Sequence, residues 1–379
     1  MSAPTTTTAL CPHFGTCGGC QYQDLAYRDQ LELKRVRLDA ILREAAVHDL
    51  PAIKIHSGEP WTYRNRIRLR TQHNDGVRSL GYNRADSTEY LPVTTCPISA
   101  PILWTAAEAL LSATARDRDA AAWLDAAAQV ELFCNDDLSR VQLTLLCMKK
   151  PALAPLSFTR AVAAISLPQL ASVAAVHLEA RTGRWLNTLA ETGAAGLQYR
   201  IGDEAYWVSR GSFFQVNRFL LATLVQLVCN GRSGSLAWDL YAGVGLFSRI
   251  LARNFAQITA VEANPLAAND LRTGLRKVGA QHTAVEASTL DFLRSAMLQR
   301  DRPELIVLDP PRVGAGIEAC ELLLRVAPQE IVYVSCDPTT LARDLRILQP
   351  RYRIAELHLL DLFPQTVHIE TIAVLARNS

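Results

Sequence analysis

Apolar positions recur along this chain with two rhythms, and the change between them falls near Ser212. Upstream, Leu, Arg and Glu at helical spacing predict a helix over 24–46, and Arg64-Asn65-Arg66-Ile67-Arg68-Leu69-Arg70 alternates with the period of two that marks a half-buried strand. Asn74-Asp75-Gly76 reads as a turn between strands. An Ala-rich helix is expected over 101–116, followed by strands near 128–132, 140–148, 174–179 and 197–208, together a mostly antiparallel α+β unit. Downstream, helix and apolar strand alternate: helix 217–230, strand 236–240, helix 245–254, strand 257–262, helix 266–278, then strands at 305–308, 331–335 and 372–376. Such alternation predicts right-handed βαβ units and a parallel sheet covered on both faces, a doubly wound α/β domain whose ligands sit at the carboxyl ends of its strands. The expected organisation is a loose tail over 1–10, an α+β unit over 11–212 and a Rossmann-like unit over 213–379, with the helix at 24–46 a candidate to pack on the last.

Composition narrows the classes of partner. With 49% hydrophobic and 20% charged residues and no low-complexity tract, the chain reads as an ordinary globular protein. Its Thr-rich start lacks the regions of a secretory signal, and no stretch approaches the ~18 apolar residues of a membrane helix, so a cytoplasmic protein without a membrane partner is expected. No oligomerisation signature or obligate protein partner is evident. A formal net charge of only +2 means that affinity for nucleic acid must come from local basic patches. Nine cysteines in a reducing compartment are expected to be free thiols. Cys11-x5-Cys17-Gly18-Gly19-Cys20 and, further on, Cys96 offer four thiolates for a metal centre, and their spacing alone does not choose between zinc and iron–sulfur. Cys134, Cys147, Cys229 and Cys320 lie in apolar or helical contexts and are expected in the core.

The candidate chemistry falls at the ends of the predicted parallel strands. The strand ending at Leu240 runs into Tyr241-Ala242-Gly243-Val244-Gly245, a glycine turn opening a helix, and Glu262 ends the next strand, placed to accept hydrogen bonds from a ribose diol. The third glycine of a dinucleotide motif is missing, which favours S-adenosylmethionine over a dinucleotide. A further strand delivers Asp309-Pro310-Pro311-Arg312, whose prolines stiffen the backbone beside a carboxylate. Amino-group methyltransferases end a similar tetrapeptide in an aromatic residue, so Arg312 points to ring-carbon chemistry instead. The following strand delivers Ser335-Cys336-Asp337-Pro338. C5 of uracil becomes nucleophilic only after something adds to C6, and a thiolate performs that addition well, which makes Cys336 the candidate nucleophile. Removal of the C5 proton then requires a base, either Glu370 or, two residues away on the same face, His368.

Taken in order, Ser212-Phe213-Phe214-Gln215-Val216-Asn217, the segment from Asp239 to Gly245, Asp309-Pro310-Pro311-Arg312, Ser335-Cys336-Asp337-Pro338 and His368-Ile369-Glu370 resemble the RNA uracil-C5 methyltransferase family, from Cys11 almost to the carboxyl end. The resemblance implies a class I S-adenosylmethionine-dependent methyltransferase domain, with Gln215, Tyr241, Glu262 and Asp309 contacting S-adenosylmethionine, Cys336 as nucleophile and Glu370 as base. It also implies that Cys11, Cys17, Cys20 and Cys96 hold a [4Fe–4S] cluster in the α+β domain, since ribosomal members of the family carry one. The ten residues ahead of Cys11 point to the shorter ribosomal branch, the RlmC type forming 5-methyluridine at nucleotide 747 of 23S ribosomal RNA. The five-residue run between Cys11 and Cys17 points instead to the longer RlmD type, and a transfer-RNA target is a further alternative.

Arg64, Arg66, Arg68 and Arg70 share one face of their predicted strand, a candidate phosphate-tracking surface or else a solvated edge. The target uracil must leave its stack to reach Cys336, and Phe213 or Phe214 is placed to stack on it. Two competing readings remain: a cytosine-C5 methyltransferase, which would want its cysteine in a Pro-Cys frame, and a non-catalytic iron–sulfur RNA-binding protein, which would need neither Cys336, Asp309 nor Glu370.

Overall fold

The two rhythms build two sheets. The computed structural model describes residues 5–299 and 302–378. Its first half contains α1 (Tyr27–Glu44), β1 (Ile53–His56), β2 (Arg66–Asn74), β3 (Val77–Asn83), β4 (Tyr90–Pro92), α2 (Pro101–Arg116), α3 (Arg118–Ala126), β5 (Gln129–Cys134), β6 (Val141–Cys147), α4 (Pro155–Ala163), β7 (Leu170–Leu178), β8 (Trp185–Gly193), β9 (Gly196–Ile201) and β10 (Glu204–Ser209). The second half continues with α5 (Leu221–Cys229), β11 (Gly234–Leu240), α6 (Ser248–Leu251), β12 (Phe255–Glu262), α7 (Pro265–Arg276), β13 (Thr283–Glu286), α8 (Thr289–Gln299), β14 (Leu305–Leu308), α9 (Ile317–Val326), β15 (Glu330–Ser335), α10 (Pro338–Leu348), β16 (Tyr352–Leu360) and β17 (Glu370–Arg377).

Seven strands of the first half form a sheet in the order β4-β3-β2-β5-β6-β7-β8, antiparallel except where β6 meets β7. The β2–β3 hairpin turns at Asp75 and Gly76, both with positive φ, the backbone that a two-residue hairpin loop needs. Ile67 and Leu69 face inward beneath α2 and α3, as the period of two requires. The stretch expected as one strand over 197–208 is instead the β9–β10 hairpin, because Gly202 takes φ 56° and reverses the chain. The expected tail falls partly on residues 1–4, which lie outside the described residues; Thr6 of its remainder bridges Leu25.

The second sheet runs β1-β16-β17-β15-β14-β11-β12-β13, all parallel except β17, which is antiparallel to both neighbours. Alternate residues of its central strands bury into different cores: Ala237, Val307 and Val332 on one face, Trp238, Ile306 and Ile331 on the other. Each of the buried valines and isoleucines contributes about 1.5–3 kcal/mol by leaving water, which is why these strands are apolar throughout rather than alternating. The winding reverses between β11 and β14, opening a crevice at their carboxyl ends. The helix expected over 245–254 is confined to Ser248–Leu251, because Gly245 at φ 92° occupies a turn.

The sheet also recruits chain from the amino-terminal half. β1 pairs with β16, and Leu38 and Leu42 of α1 join the core around Trp238. Lys34 of α1 donates to Asp361 at 2.6 Å and to the Phe363 carbonyl at 2.9 Å, with both charged side chains only 1% exposed. Tyr27 donates to the other oxygen of Asp361. Lys34→Met leaves a buried carboxylate without its cation and is expected to lower the unfolding free energy by about 3–5 kcal/mol, measurable by urea denaturation.

Candidate active site

A parallel strand presents its last residue at the carboxyl edge of the sheet, whereas an antiparallel strand presents its first. Tyr241, Asp309 and Cys336 follow the ends of β11, β14 and β15, Glu262 ends β12, and Glu370 opens β17, so all five reach one edge. With Gln215 they line a single cavity of about 730 Å³. Arg64, expected on the phosphate-tracking face, lines it too, as do Arg312, which stood in a motif already noted, and Phe363, which carried no periodic signal.

The glycine turn is shaped by its acid. Glu262 accepts hydrogen bonds from the backbone N–H of Gly243 at 2.8 Å and of Asn264 at 2.7 Å, tying the β11 loop to the β12 loop. Gly243 has φ 56° with open space where a Cβ would stand, so the backbone can approach a ligand closely; a Cβ on Gly245 would meet Leu271 at 2.8 Å. Tyr241 also takes a positive φ of 65°.

Carboxylates and thiol crowd the same edge. Asp239 is fully buried and accepts from the Ser248 hydroxyl, and burial pushes its pKa up to about 7. Asp309 is also pushed up to about 7, first by burial and then by the charge of Asp239, while Gln215 Nε2, donating at 3.2 Å, opposes the rise. Glu370 is 2% exposed and held well above the carboxylate range by burial and by Asp309. Cys336, half-buried, is pushed up to about 11 by burial, Glu370 and Asp309, with Arg312 pulling the other way. His368 lies 3.4 Å from Arg312, and burial together with that guanidinium keeps its pKa below the ordinary histidine value. Unlike Glu370, it is absent from the cavity lining.

A strap from Ser209 to Asn217 carries Gln215 into the cavity and is fastened along its length. Asp270 accepts from the Ser209 N–H and hydroxyl and from the Ser212 hydroxyl. Asn65 donates to the Gln215 carbonyl, and Asn217 donates to the carbonyl of Leu362. Of the two phenylalanines expected to meet a base, Phe214 is 2% exposed and packs its ring 4.8 Å from that of Tyr199. Phe213, 66% exposed, is the one with a free face.

The arginine face is mostly spoken for by protein groups. Arg66 donates to the Ser212 carbonyl and covers the Phe133 ring, Arg68 pairs with Glu131, and Arg70 donates to Asn83 and Thr88. Arg64 is engaged as well, its Nε donating to the Arg66 carbonyl at 3.1 Å, so the expected free phosphate track is not present as such; Arg64 lines both the cavity above and a second one of about 490 Å³. Cys11, Cys17, Cys20 and Cys96 line that second cavity. Among the described residues no group of three or more His, Cys, Asp or Glu side chains is drawn together as a metal site, so the expected cluster ligands share a cavity without forming a closed coordination shell. Burial raises the pKa of Cys17, Cys20 and Cys96, that of Cys20 to about 12 with the other three thiols adding to the rise. Cys134, Cys147, Cys229 and Cys320 are buried.

Comparison with known proteins agrees with this geometry. The model of a family described as tRNA (Uracil-5-)-methyltransferase matches residues 26–378. A protein of Edwardsiella ictaluri named 23S rRNA (uracil(1939)-C(5))-methyltransferase RlmD is 32% identical over 98% of this chain and 82% of its own length. An uncharacterized RNA methyltransferase of Aquifex aeolicus is 31% identical over 99% of this chain and 85% of its own. Among solved structures, the tRNA (uracil-54, C5)-methyltransferase of Pyrococcus abyssi in complex with S-adenosyl-L-homocysteine superposes with a TM-score of 0.75, covering 94% of this chain and 86% of that one at 24% identity, which shows a shared fold.

Proposed function

Because the chain belongs to the tRNA (uracil-5-)-methyltransferase family of S-adenosylmethionine-dependent RNA uracil-C5 methyltransferases, we propose that it methylates C5 of a uridine in 23S ribosomal RNA, with Cys336 as nucleophile and Glu370 as base. The observation that carries the reading is the convergence of Cys336, Glu370, Asp309 and the Glu262-tied glycine loop on one cavity. Open space over Gly243 and the free acceptor capacity of Glu262 suit a nucleoside, and Gln215, Tyr241, Glu262 and Asp309 would hold S-adenosylmethionine. When bound, that cosubstrate would supply the methyl group from its sulfonium and leave as S-adenosylhomocysteine.

The residues' own work is addition, proton removal and elimination. Cys336 Sγ, as thiolate, forms a bond to C6 and drives the electron pair to C5, which takes the methyl group. Glu370, its pKa raised toward the range where a carboxylate is an effective base, takes the C5 proton; the C5–C6 double bond re-forms and Sγ leaves as thiolate. Arg312, a cation lining the same cavity, stabilises the negative charge of the Cys336 thiolate and the Glu370 carboxylate. Phe213 offers its exposed ring to the flipped base.

The ribosomal target rests on relatives that carry the RlmD name, among them one of Chromohalobacter salexigens 30% identical over the whole of this chain. The RlmC type and nucleotide 747 find no support in these relatives, and the five-residue spacing from Cys11 to Cys17 agrees with the RlmD alternative. Cys11, Cys17, Cys20 and Cys96, which line one cavity, would be the thiolate ligands of an iron–sulfur cluster. A cytoplasmic location fits the free thiols.

Separate incubation of the full-length protein and labelled S-adenosylmethionine with transcribed 23S ribosomal RNA and with transfer RNA tests the target. Label is expected as 5-methyluridine at one position of the 23S transcript. Label confined to transfer RNA would replace the ribosomal reading, and label in neither would remove it.

A further inference from the structure

Beside the methyl-transfer cavity, strand ends of the α+β unit gather an exposed basic corner. β6 and β7 run parallel with Cys147 beside His177, so Lys149 and Lys150 emerge next to the β7–β8 turn, which carries Arg181 and Arg184. All four are exposed. Lys149, Lys150 and Arg181 form no ion pair or side-chain hydrogen bond among the described residues, so packing gives no reason for their charge. Glu179 is the one acid in segments 148–150 and 178–186, and it is already held by Arg184 at 3.7 Å and by the Thr182 hydroxyl.

Aromatic and apolar surface joins this corner to the cavity. The Trp185 ring lies against Gly211, where a Cβ would stand 2.9 Å from two ring atoms, and Gly211 lines the cavity. Leu266, 40% exposed, reaches the same spot, and Phe213 stands beside it in the lining. A base drawn into the cavity leaves its neighbours to cross the rim as single strand, and single strands are held by cations on the phosphates with aromatic rings beneath the bases. We propose that Lys149, Lys150, Arg181 and Arg184, with Trp185, form an RNA-docking surface that grips the phosphates flanking the target uridine. This rests on the RNA-methylation reading above and adds to it where the substrate strand runs.

The test compares two full-length triple variants by filter binding to transcribed 23S ribosomal RNA over a range of salt. Lys149→Ala/Lys150→Ala/Arg181→Ala empties the corner; Lys277→Ala/Arg325→Ala/Arg353→Ala removes the same charge from the opposite edge of the second sheet. The corner variant is expected to raise Kd about tenfold or more and to flatten the slope of log Kd against log salt by about two to three, since each neutralised phosphate contributes roughly 0.7–0.9. Its KM for the transcript should rise with kcat unchanged, and thermal melting should match the parent, because the three side chains are exposed. The opposite-edge variant should keep Kd within about twofold. Equal weakening by both variants, or an unchanged slope in the first, overturns the proposal. RNA that binds through the corner but is never methylated would leave the corner standing and remove the uracil reading; methylation with an unchanged slope would do the reverse.

Discussion

Cys336→Ala is expected to reduce methyl transfer by about 10⁴-fold or more while leaving RNA affinity nearly unchanged. The uncatalysed alternative is attack by C5 of an intact uracil ring, which holds no electron pair free for the methyl group, so loss of the thiolate removes the whole covalent path; four decades correspond to about 5 kcal/mol of barrier. The side chain is half-buried in a cavity wall and, among the described residues, makes no hydrogen bond to another residue's side chain, so its removal should cost the fold little. Single-turnover methylation followed by filter binding separates the two effects. A variant that methylates within about tenfold of the parent would place the nucleophile elsewhere.

Glu370→Gln is expected to slow turnover by about 10²–10⁴-fold and to accumulate RNA covalently attached through Cys336, because methylation at C5 proceeds while release does not. Denaturing gels of the stalled reaction check this. A matching pH dependence follows from the site's electrostatics. Cys336 at about 11, Asp309 at about 7 and Glu370 are all raised by burial, and further by Glu370 and Asp309 for Cys336, by Asp239 for Asp309 and by Asp309 for Glu370. Thiolate and carboxylate are the working forms, and raised values leave them protonated at low pH, so kcat/KM should climb as pH rises through neutral. Arg312 lowers both Cys336 and Glu370, so Arg312→Gln should move that climb to higher pH, read from the two profiles side by side.

Periodicity served well where burial alone decided the pattern. The helix Pro101–Arg116 and the strand Leu305–Leu308 were legible to the residue, and Cys336 and Asp309 were found because a parallel strand hands its next residue to the ligand edge. Glu370 was legible through its place before the last strand and through the family resemblance; its burial beside Asp309 depends on β17 running antiparallel, which no local pattern announces. Five helices, α3, α4, α8, α9 and α10, escaped the sequence reading, and β16 escaped because Arg353, Glu356 and His358 interrupt it. β1 was missed because its four residues acquire strand character only by pairing with β16, some three hundred residues away. The arginine face misled for a related reason: charge at a period of two says that a face is polar, not whether Ser212, Glu131 and Asn83 already cover it.

The most direct measurement is a trap with RNA containing 5-fluorouridine, where fluorine at C5 cannot leave as a proton and the reaction stalls with sulfur still bonded to C6. Parent protein, S-adenosylmethionine and fluorinated 23S transcript should give a denaturation-resistant adduct whose mass includes the transferred methyl group, and peptide mapping should place the link on Cys336; Cys336→Ala should give none. Methylation of the unmodified transcript without any adduct on the fluorinated one, or an adduct that persists in Cys336→Ala, would contradict covalent catalysis through this residue.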